Sequence, residues 1–89
     1  MKYDNPLILR FDAAHTLPPP VLCQLEVEVN IVLLAGDDEI TDATTRAIDF
    51  MEENEFAAAI TNTKNYRVCH VYDKYARDLI IGISTEVEQ

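Results

Sequence analysis

Two histidines and two cysteines are the side chains in this sequence best suited to nucleophilic or metal chemistry. His15 and Cys23 lie in the first third of the chain, whereas Cys69 and His70 are adjacent much later. No C-x2-C or H-x3-H spacing occurs, and neighbouring residues on a strand project to opposite faces of a sheet. We therefore expect no metal site and no cofactor, with the thiols in or near the core. Two cysteines form no disulfide framework, and a Cys23–Cys69 bridge remains an alternative.

A catalytic cysteine would need a base within hydrogen-bond reach and a lowered thiol pKa. His70 should project away from Cys69 on a strand, and the net charge of −9 favours the neutral thiol. Carboxylates are so plentiful that a close pair of them is expected by chance and does not indicate a catalytic site. We expect that the protein is not an enzyme. A small enzyme or small-molecule site at a dimer interface stays as an alternative, with these candidate residues: His15, Cys23, Cys69, His70, Tyr66, Tyr72 and Tyr75.

Phe11-Asp12-Ala13-Ala14-His15 resembles the F-x-A-A-H segment of the tunnelling-fold pterin synthases. In that family the histidine is a zinc ligand, a nearby cysteine is the nucleophile, and a later H-x-H pair completes the metal site. Cys23 is loosely placed for the cysteine, but residues 24–35 contain no histidine. A catalytic zinc needs three protein ligands, and only one is present, so we do not assign the chain to this family.

Length and charge limit the classes of function. A chain of 89 residues that is 48% hydrophobic fits one globular domain, residues 1–89. A charge of −9 disfavours direct binding to nucleic acid or to an anionic membrane surface. No apolar run is long enough to span a membrane, and Met1–Arg10 lacks the pattern of a secretory signal, so we expect a cytoplasmic protein.

Apolar periodicity predicts one helix and four strands. From Val21 to Leu34 apolar residues alternate with polar ones, which is typical of a long half-buried strand. Residues from Thr41 to Asn54 have helical spacing, and Phe56–Ile60 could be a last helical turn or a short strand. Leu17–Pro20 reads as an extended connector. The other predicted strands are Leu7–Phe11, Tyr66–Tyr72 and Asp78–Ser84. We predict an α+β fold, β-β-α-β-β, in which one helix packs on one face of an antiparallel sheet of about four strands.

Carboxylates are concentrated in one segment of the chain. Residues 37–55 contain eight carboxylates against one base, Arg46, for a net charge of −7. We predict that these eight residues contact a partner: Asp37, Asp38, Glu39, Asp42, Asp49, Glu52, Glu53 and Glu55. Glu26 and Glu28 are the next candidates, because they would lie about 7 Å apart on one face of the long strand, a spacing compatible with nucleic-acid mimicry.

These features favour a non-catalytic protein-binding module. We expect a partner protein with a basic surface, which the chain would mask as an inhibitor or antagonist, in the manner of immunity-type or phage anti-defence proteins. That surface could be the nucleic-acid-binding site of the partner. The first alternative is a self-associating adaptor, a homodimer whose copies pair through sheet edges, either the strand Val21–Leu34 or the hairpin Tyr66–Ser84.

Overall fold

A computed structural model describes residues 3–86 of the chain. Within that range the elements are four strands, two α-helices and one short 3-10 helix. Their bounds are Tyr3–Arg10 (β1), Asp12–Thr16 (the 3-10 helix), Pro19–Leu34 (α1), Ile40–Glu53 (α2), Ala57–Asn62 (β2), Arg67–Tyr72 (β3) and Asp78–Glu86 (β4). The α+β class predicted from the sequence is confirmed.

The strands form one antiparallel sheet with the order β1-β4-β3-β2. The predicted antiparallel sheet of about four strands is therefore confirmed. Strands β3 and β4 are central, and each already has a hydrogen-bonded neighbour on both sides. The hairpin Tyr66–Ser84 consequently has no free edge in this sheet, while self-association of the chain stays a prediction.

The largest error of the sequence prediction lies between Val21 and Leu34, which is helix α1 rather than a strand. Positions 21, 25, 29 and 33 are four residues apart, and this spacing satisfies both a period of two and, closely, a period of 3.6. Leu25, Val29 and Leu33 are fully buried on the inner side of α1. Two prolines occupy the first helical positions, where their fixed φ favours a helix start.

The predicted order β-β-α-β-β is accordingly wrong, and the observed order is β-α-α-β-β-β. The structure has two helices where one was predicted, and the second of them, α2, lies within one residue of the predicted Thr41–Asn54. Phe56–Ile60, which periodicity left undecided, belongs mostly to strand β2. The prolines after Leu17 lead into α1 instead of joining two strands.

Alternate residues of the strands join both helices in one core. Cys69 and Val71 of β3 are fully buried with Leu25 of α1 and Met51 of α2. Helix α1 packs closely on the sheet at Gly82 of β4. A Cβ atom there would lie 2.7 Å from Leu33 Cδ1 and 2.8 Å from Val29 Cγ1, so the close packing of α1 on β4 requires glycine.

Arg67 at the start of β3 is fully buried and ties the sheet to the end of α1. Its Nη1 donates to the carbonyl oxygens of Val32 at 2.6 Å and Ala35 at 2.8 Å, and its Nε donates to Asn62 Oδ1 at 3.1 Å. The last carbonyls of a helix have no partners within the helix and form the negative end of its dipole. The Arg67 guanidinium donates hydrogen bonds to these carbonyls and places a positive charge at the negative end of the dipole. It thereby fixes the C-terminal end of α1.

Candidate protein-binding surface

Helices α1 and α2 and their connection, residues 19–53, form the helical layer of the molecule. All eight carboxylates predicted between residues 37 and 55 are exposed. Asp42 and Asp49 are seven residues apart on α2 and so share one helical face. Lys74 lies 3.7 Å from Glu55 in an exposed ion pair, which contributes little because water screens it. The predicted acidic residues therefore lie on the surface, while their contact with a partner stays a prediction.

Glu28 has a different role from the other acidic candidates. It is only 3% exposed and accepts hydrogen bonds from Nε and Nη2 of Arg46, at 3.0 and 2.9 Å, and from Nε2 of Gln24 at 3.0 Å. The hydrogen bond and the charge of Glu28 raise the pKa of Arg46. Glu28 thus joins α1 to α2 and is not displayed to a partner. Glu26 and Glu28 both lie on helix α1, so the prediction that they share one face of a strand is wrong.

This ion pair also changes the charge balance of the helical layer. Arg46 is the single base between residues 37 and 55, and its charge is offset by Glu28 of α1. Arg46 is therefore committed to a carboxylate outside the acidic segment and does not neutralise one within it. The surface formed by residues 37–55 is more acidic than the sequence count of its charges implies.

A groove with a volume of about 560 Å³ runs between α1 and α2 on the outer side of the helical layer. Its apolar floor includes Val27, Ile31 and Leu34 of α1, which recur at the i, i+4 and i+7 spacing of one helical face. Val27 and Leu34 are 42% and 52% exposed. Glu39, Asp42 and the ion-paired Arg46 line the groove from the α2 side. The helical layer therefore combines an apolar groove with a carboxylate rim.

The alternation of apolar and polar residues that led to the wrong strand prediction for α1 also explains this groove. Alternation places apolar residues all around a helix, so the residues that the core does not use face outward. Leu25, Val29 and Leu33 fill the core, whereas Val27 and Ile31 are left for the groove. Sequence analysis missed the groove because it treated the segment as a strand. A helical wheel of residues 19–34 would have revealed the second apolar stripe.

The cysteines and histidines do not converge on one site. Both cysteines are free: Cys23 is exposed on α1, and Cys69 is buried in the sheet, where burial raises the pKa of its thiol to about 11. A buried neutral thiol is a poor nucleophile. His15 is exposed on the 3-10 helix, whereas His70 is partly buried on β3. Among residues 3–86, no three His, Cys, Asp or Glu side chains are grouped to hold a metal ion.

His70 lies in a chain of polar side chains on the sheet. Its Nε2 is 2.8 Å from Asp78 Oδ1, and its Nδ1 is 3.0 Å from the hydroxyl of Tyr72. A carboxylate acceptor at Nε2 leaves Nδ1 to accept the Tyr72 proton. The His70 ring also stacks on Tyr72 and, more loosely, on Phe11, with ring centroids 4.2 and 6.3 Å away. These contacts satisfy both nitrogens of the imidazole and hold the ring in place.

The bases of the β3–β4 hairpin are largely engaged within the molecule. Arg67 is buried, and Arg77 donates from Nε to Asp73 Oδ2 at 2.7 Å. Burial opposes ionisation of Asp73, but the hydrogen bonds from Arg77 and Tyr75 prevail and lower its pKa. The hairpin therefore offers little net positive charge to offset the acidic helical layer.

No family model, curated protein or solved structure matches this chain. In the part of the chain that the structure describes, neither helix is long and apolar enough to cross a bilayer. The groove, the exposed carboxylates and the sheet are therefore the features of the molecule that bear on its function.

Proposed function

We propose that the chain is a non-catalytic protein-binding module whose helical layer binds a basic, amphipathic segment of a partner protein. The observation that carries this proposal is the α1–α2 groove, in which exposed Val27 and Leu34 lie beside exposed Glu39 and Asp42. In a groove that binds an amphipathic helix, the apolar floor supplies affinity, and charged residues at the rim orient the helix. The partner segment would present apolar side chains to the floor and Lys or Arg to the rim.

The carboxylates outside the groove act at longer range. Asp49, Glu52 and Glu53 are exposed on α2, and Asp37 and Asp38 precede the helix. A field of one sign accelerates the encounter with a basic partner and orients it, although it adds less to the final affinity. Such a module acts as an inhibitor or antagonist when the basic segment it covers is the partner's own nucleic-acid-binding surface. Direct binding to nucleic acid is disfavoured by the same field.

A designed peptide tests the proposal without knowledge of the natural partner. The probe is a helical peptide with apolar residues at i, i+4 and i+7 and lysine or arginine elsewhere. The control peptide has the same composition in scrambled order. We expect the amphipathic peptide to bind more tightly than the scrambled one, by isothermal titration calorimetry, because only the first can fill the groove and meet the rim together. Equal affinity for the two peptides would show charge attraction alone and reject the groove.

Matched variants locate the peptide on the surface. Replacing Val27 and Leu34 together by glutamine should weaken binding by about 2 kcal/mol, roughly thirtyfold, because each loses apolar burial on binding. Replacing Leu7 and Leu9 by glutamine is the control, since these residues are equally exposed, at 57% and 46%, but lie on β1. Loss of binding in the β1 variant instead would place the peptide on the sheet.

A further inference from the structure

The sheet face opposite the core, which we call the open sheet face, is apolar and uncovered within the described part of the chain. Antiparallel cross-strand partners project to the same face, so the register defines the rows of this surface. The first row is Thr61–Val68–Ile83–Leu7, the second is Ala59–His70–Ile81–Leu9, and the third is Ala57–Tyr72–Asp78. Leu7 and Leu9 are among the most exposed large apolar residues in the described part of the chain.

This face differs from the helical layer in carrying almost no charge. Its three rows contain one carboxylate, Asp78, and that carboxylate lies at the end of the last row, within 2.8 Å of His70 Nε2. The imidazole of His70 and the hydroxyl of Tyr72 hydrogen-bond to each other, and the hydroxyl of Thr61 lies on the edge strand β2. Covering the face would therefore bury mainly apolar side chains and would leave neither nitrogen of the imidazole unsatisfied.

We propose that the open sheet face binds the open sheet face of a second copy of this chain, to form a face-to-face homodimer. The chain has a charge of −9, and two copies repel each other wherever their carboxylates meet. This repulsion is small on the open sheet face, because most of its side chains are apolar and Asp78 is the one carboxylate in its three rows. A twofold axis would bring the same patch of each copy together, as in isologous dimers.

The size of the face agrees with a weak dimer. Four strands spaced about 4.8 Å apart and six residues long at about 3.3 Å each give a footprint of about 380 Å² per copy. Side chains add relief, so the accessible surface buried by two copies is about 1,000 Å², near the lower limit for specific interfaces. The two sheets would pack about 10 Å apart, as in sandwiches.

Such a dimer has the layers helix, sheet, sheet, helix. The two acidic helical layers lie on opposite outer surfaces, about three layer spacings or 30 Å apart, which is well beyond the Debye length at physiological salt. The like charges of the two copies are therefore screened from each other. Each dimer also displays two α1–α2 grooves. The dimer itself does not depend on what those grooves bind.

Sedimentation equilibrium measures this association directly. We expect the wild-type chain to show a monomer–dimer equilibrium with a dissociation constant below about 1 mM, and this constant should fall as the salt concentration rises from about 0.01 M and screens the net charge. Replacing Leu7 and Leu9 by glutamine should weaken the dimer at least about a hundredfold, because four leucines are affected in each dimer. Replacing Val27 and Leu34 by glutamine is the control and should leave dimerisation unchanged.

Two results would overturn the homodimer proposal, and a third would place the interface elsewhere. A monomer at about 1 mM in high salt would overturn the proposal, as would a dimer abolished by the Val27 and Leu34 changes instead. A dimer unaffected by either pair would place the interface elsewhere. Nuclear magnetic resonance on the wild-type chain gives a second reading that needs no variant. Methyl signals of Leu9, Ile81 and Ile83 should shift with protein concentration, whereas those of Ile31 and Leu34 should not.

Discussion

The helical layer and the open sheet face are both exposed and both partly apolar, yet they differ in what borders their apolar residues. On the helical layer, Val27 and Leu34 lie beside carboxylates. On the sheet, Leu7 and Leu9 lie beside isoleucine, valine and a hydrogen-bonded histidine. Equal apolar exposure therefore implies different partners: a basic segment for the first surface and an uncharged surface for the second. Charge at the border, rather than the amount of apolar surface, distinguishes the two.

Arg67 connects the two regions, and its loss should have the largest effect on stability. Arg67→Met removes the hydrogen bonds to Val32 and Ala35 and leaves the carbonyls at the end of α1 unsatisfied. We expect a loss of about 3 kcal/mol in the free energy of unfolding, measured by urea denaturation. Arg77→Met is the control, since Arg77 is half exposed and pairs with Asp73 and the Tyr75 ring at the surface, and it should cost less than about 1 kcal/mol.

Hydrogen exchange would sharpen this result. In Arg67→Met the amides at the C-terminal end of α1 should exchange faster while the amides of β4 stay protected. An unfolding free energy within about 0.5 kcal/mol of wild type would mean that the buried guanidinium does not hold the helical layer to the sheet.

Gly82 sets how closely the two regions pack. A Cβ at this position meets Leu33 and Val29 at under 3 Å, and Val29 is β-branched and has little freedom to move. Gly82→Ala should cost about 1.5 kcal/mol in thermal or chemical unfolding. Gly36→Ala is the matched control, because nothing lies within 4 Å of its added methyl group. If Gly82→Ala were as stable as Gly36→Ala, the helical layer would be able to shift away from the sheet without cost.

Replacing Glu55, which follows α2, should have the smallest effect on stability, and it distinguishes the effect of backbone conformation from the effect of charge. It has a φ of 60° after the end of α2, where glycine is favoured, and its N–H donates to the carbonyl of Glu52. Glu55→Gly should raise the unfolding free energy by about 0.5 kcal/mol and slow the association of the basic peptide, measured by stopped-flow.

Ala76 provides the control for this change, since it has the same φ of 60° in the β3–β4 turn but no charge. Ala76→Gly should give a similar gain in stability with an unchanged association rate. Should both variants bind the peptide at the wild-type rate, the carboxylate of Glu55 contributes nothing to steering.

The fold was predictable where a single periodicity fits the sequence. Helix α2 has the helical spacing of Ala43, Ala47 and Met51, all buried, and its predicted bounds were correct to one residue. Strands β3 and β4 were also located, because they are rich in β-branched residues. Helix α1 was not predictable from periodicity, because a repeat of four residues fits a strand and a helix alike.

The candidate site was predictable in its charges but not in its shape. The exposed carboxylates of residues 37–55 could be identified from the sequence. The groove required α1 to be a helix, and the pairing of Glu28 with Arg46 required α1 and α2 to be neighbours. The burial of Arg67 had no sequence signal, because a basic residue at the start of a strand is ordinarily exposed.

The most direct test of the two-surface account compares the salt dependence of both associations in the same buffers. Self-association by sedimentation and binding of the basic amphipathic peptide by calorimetry would be measured at about 0.01 M NaCl, where the Debye length reaches the ~30 Å between the helical layers, and at about 0.5 M NaCl. The account predicts opposite changes: the homodimer becomes tighter because salt screens repulsion between acidic copies, and the peptide complex becomes weaker because salt screens attraction. If both associations change in the same direction, the two surfaces are not electrostatically distinct and the account is contradicted.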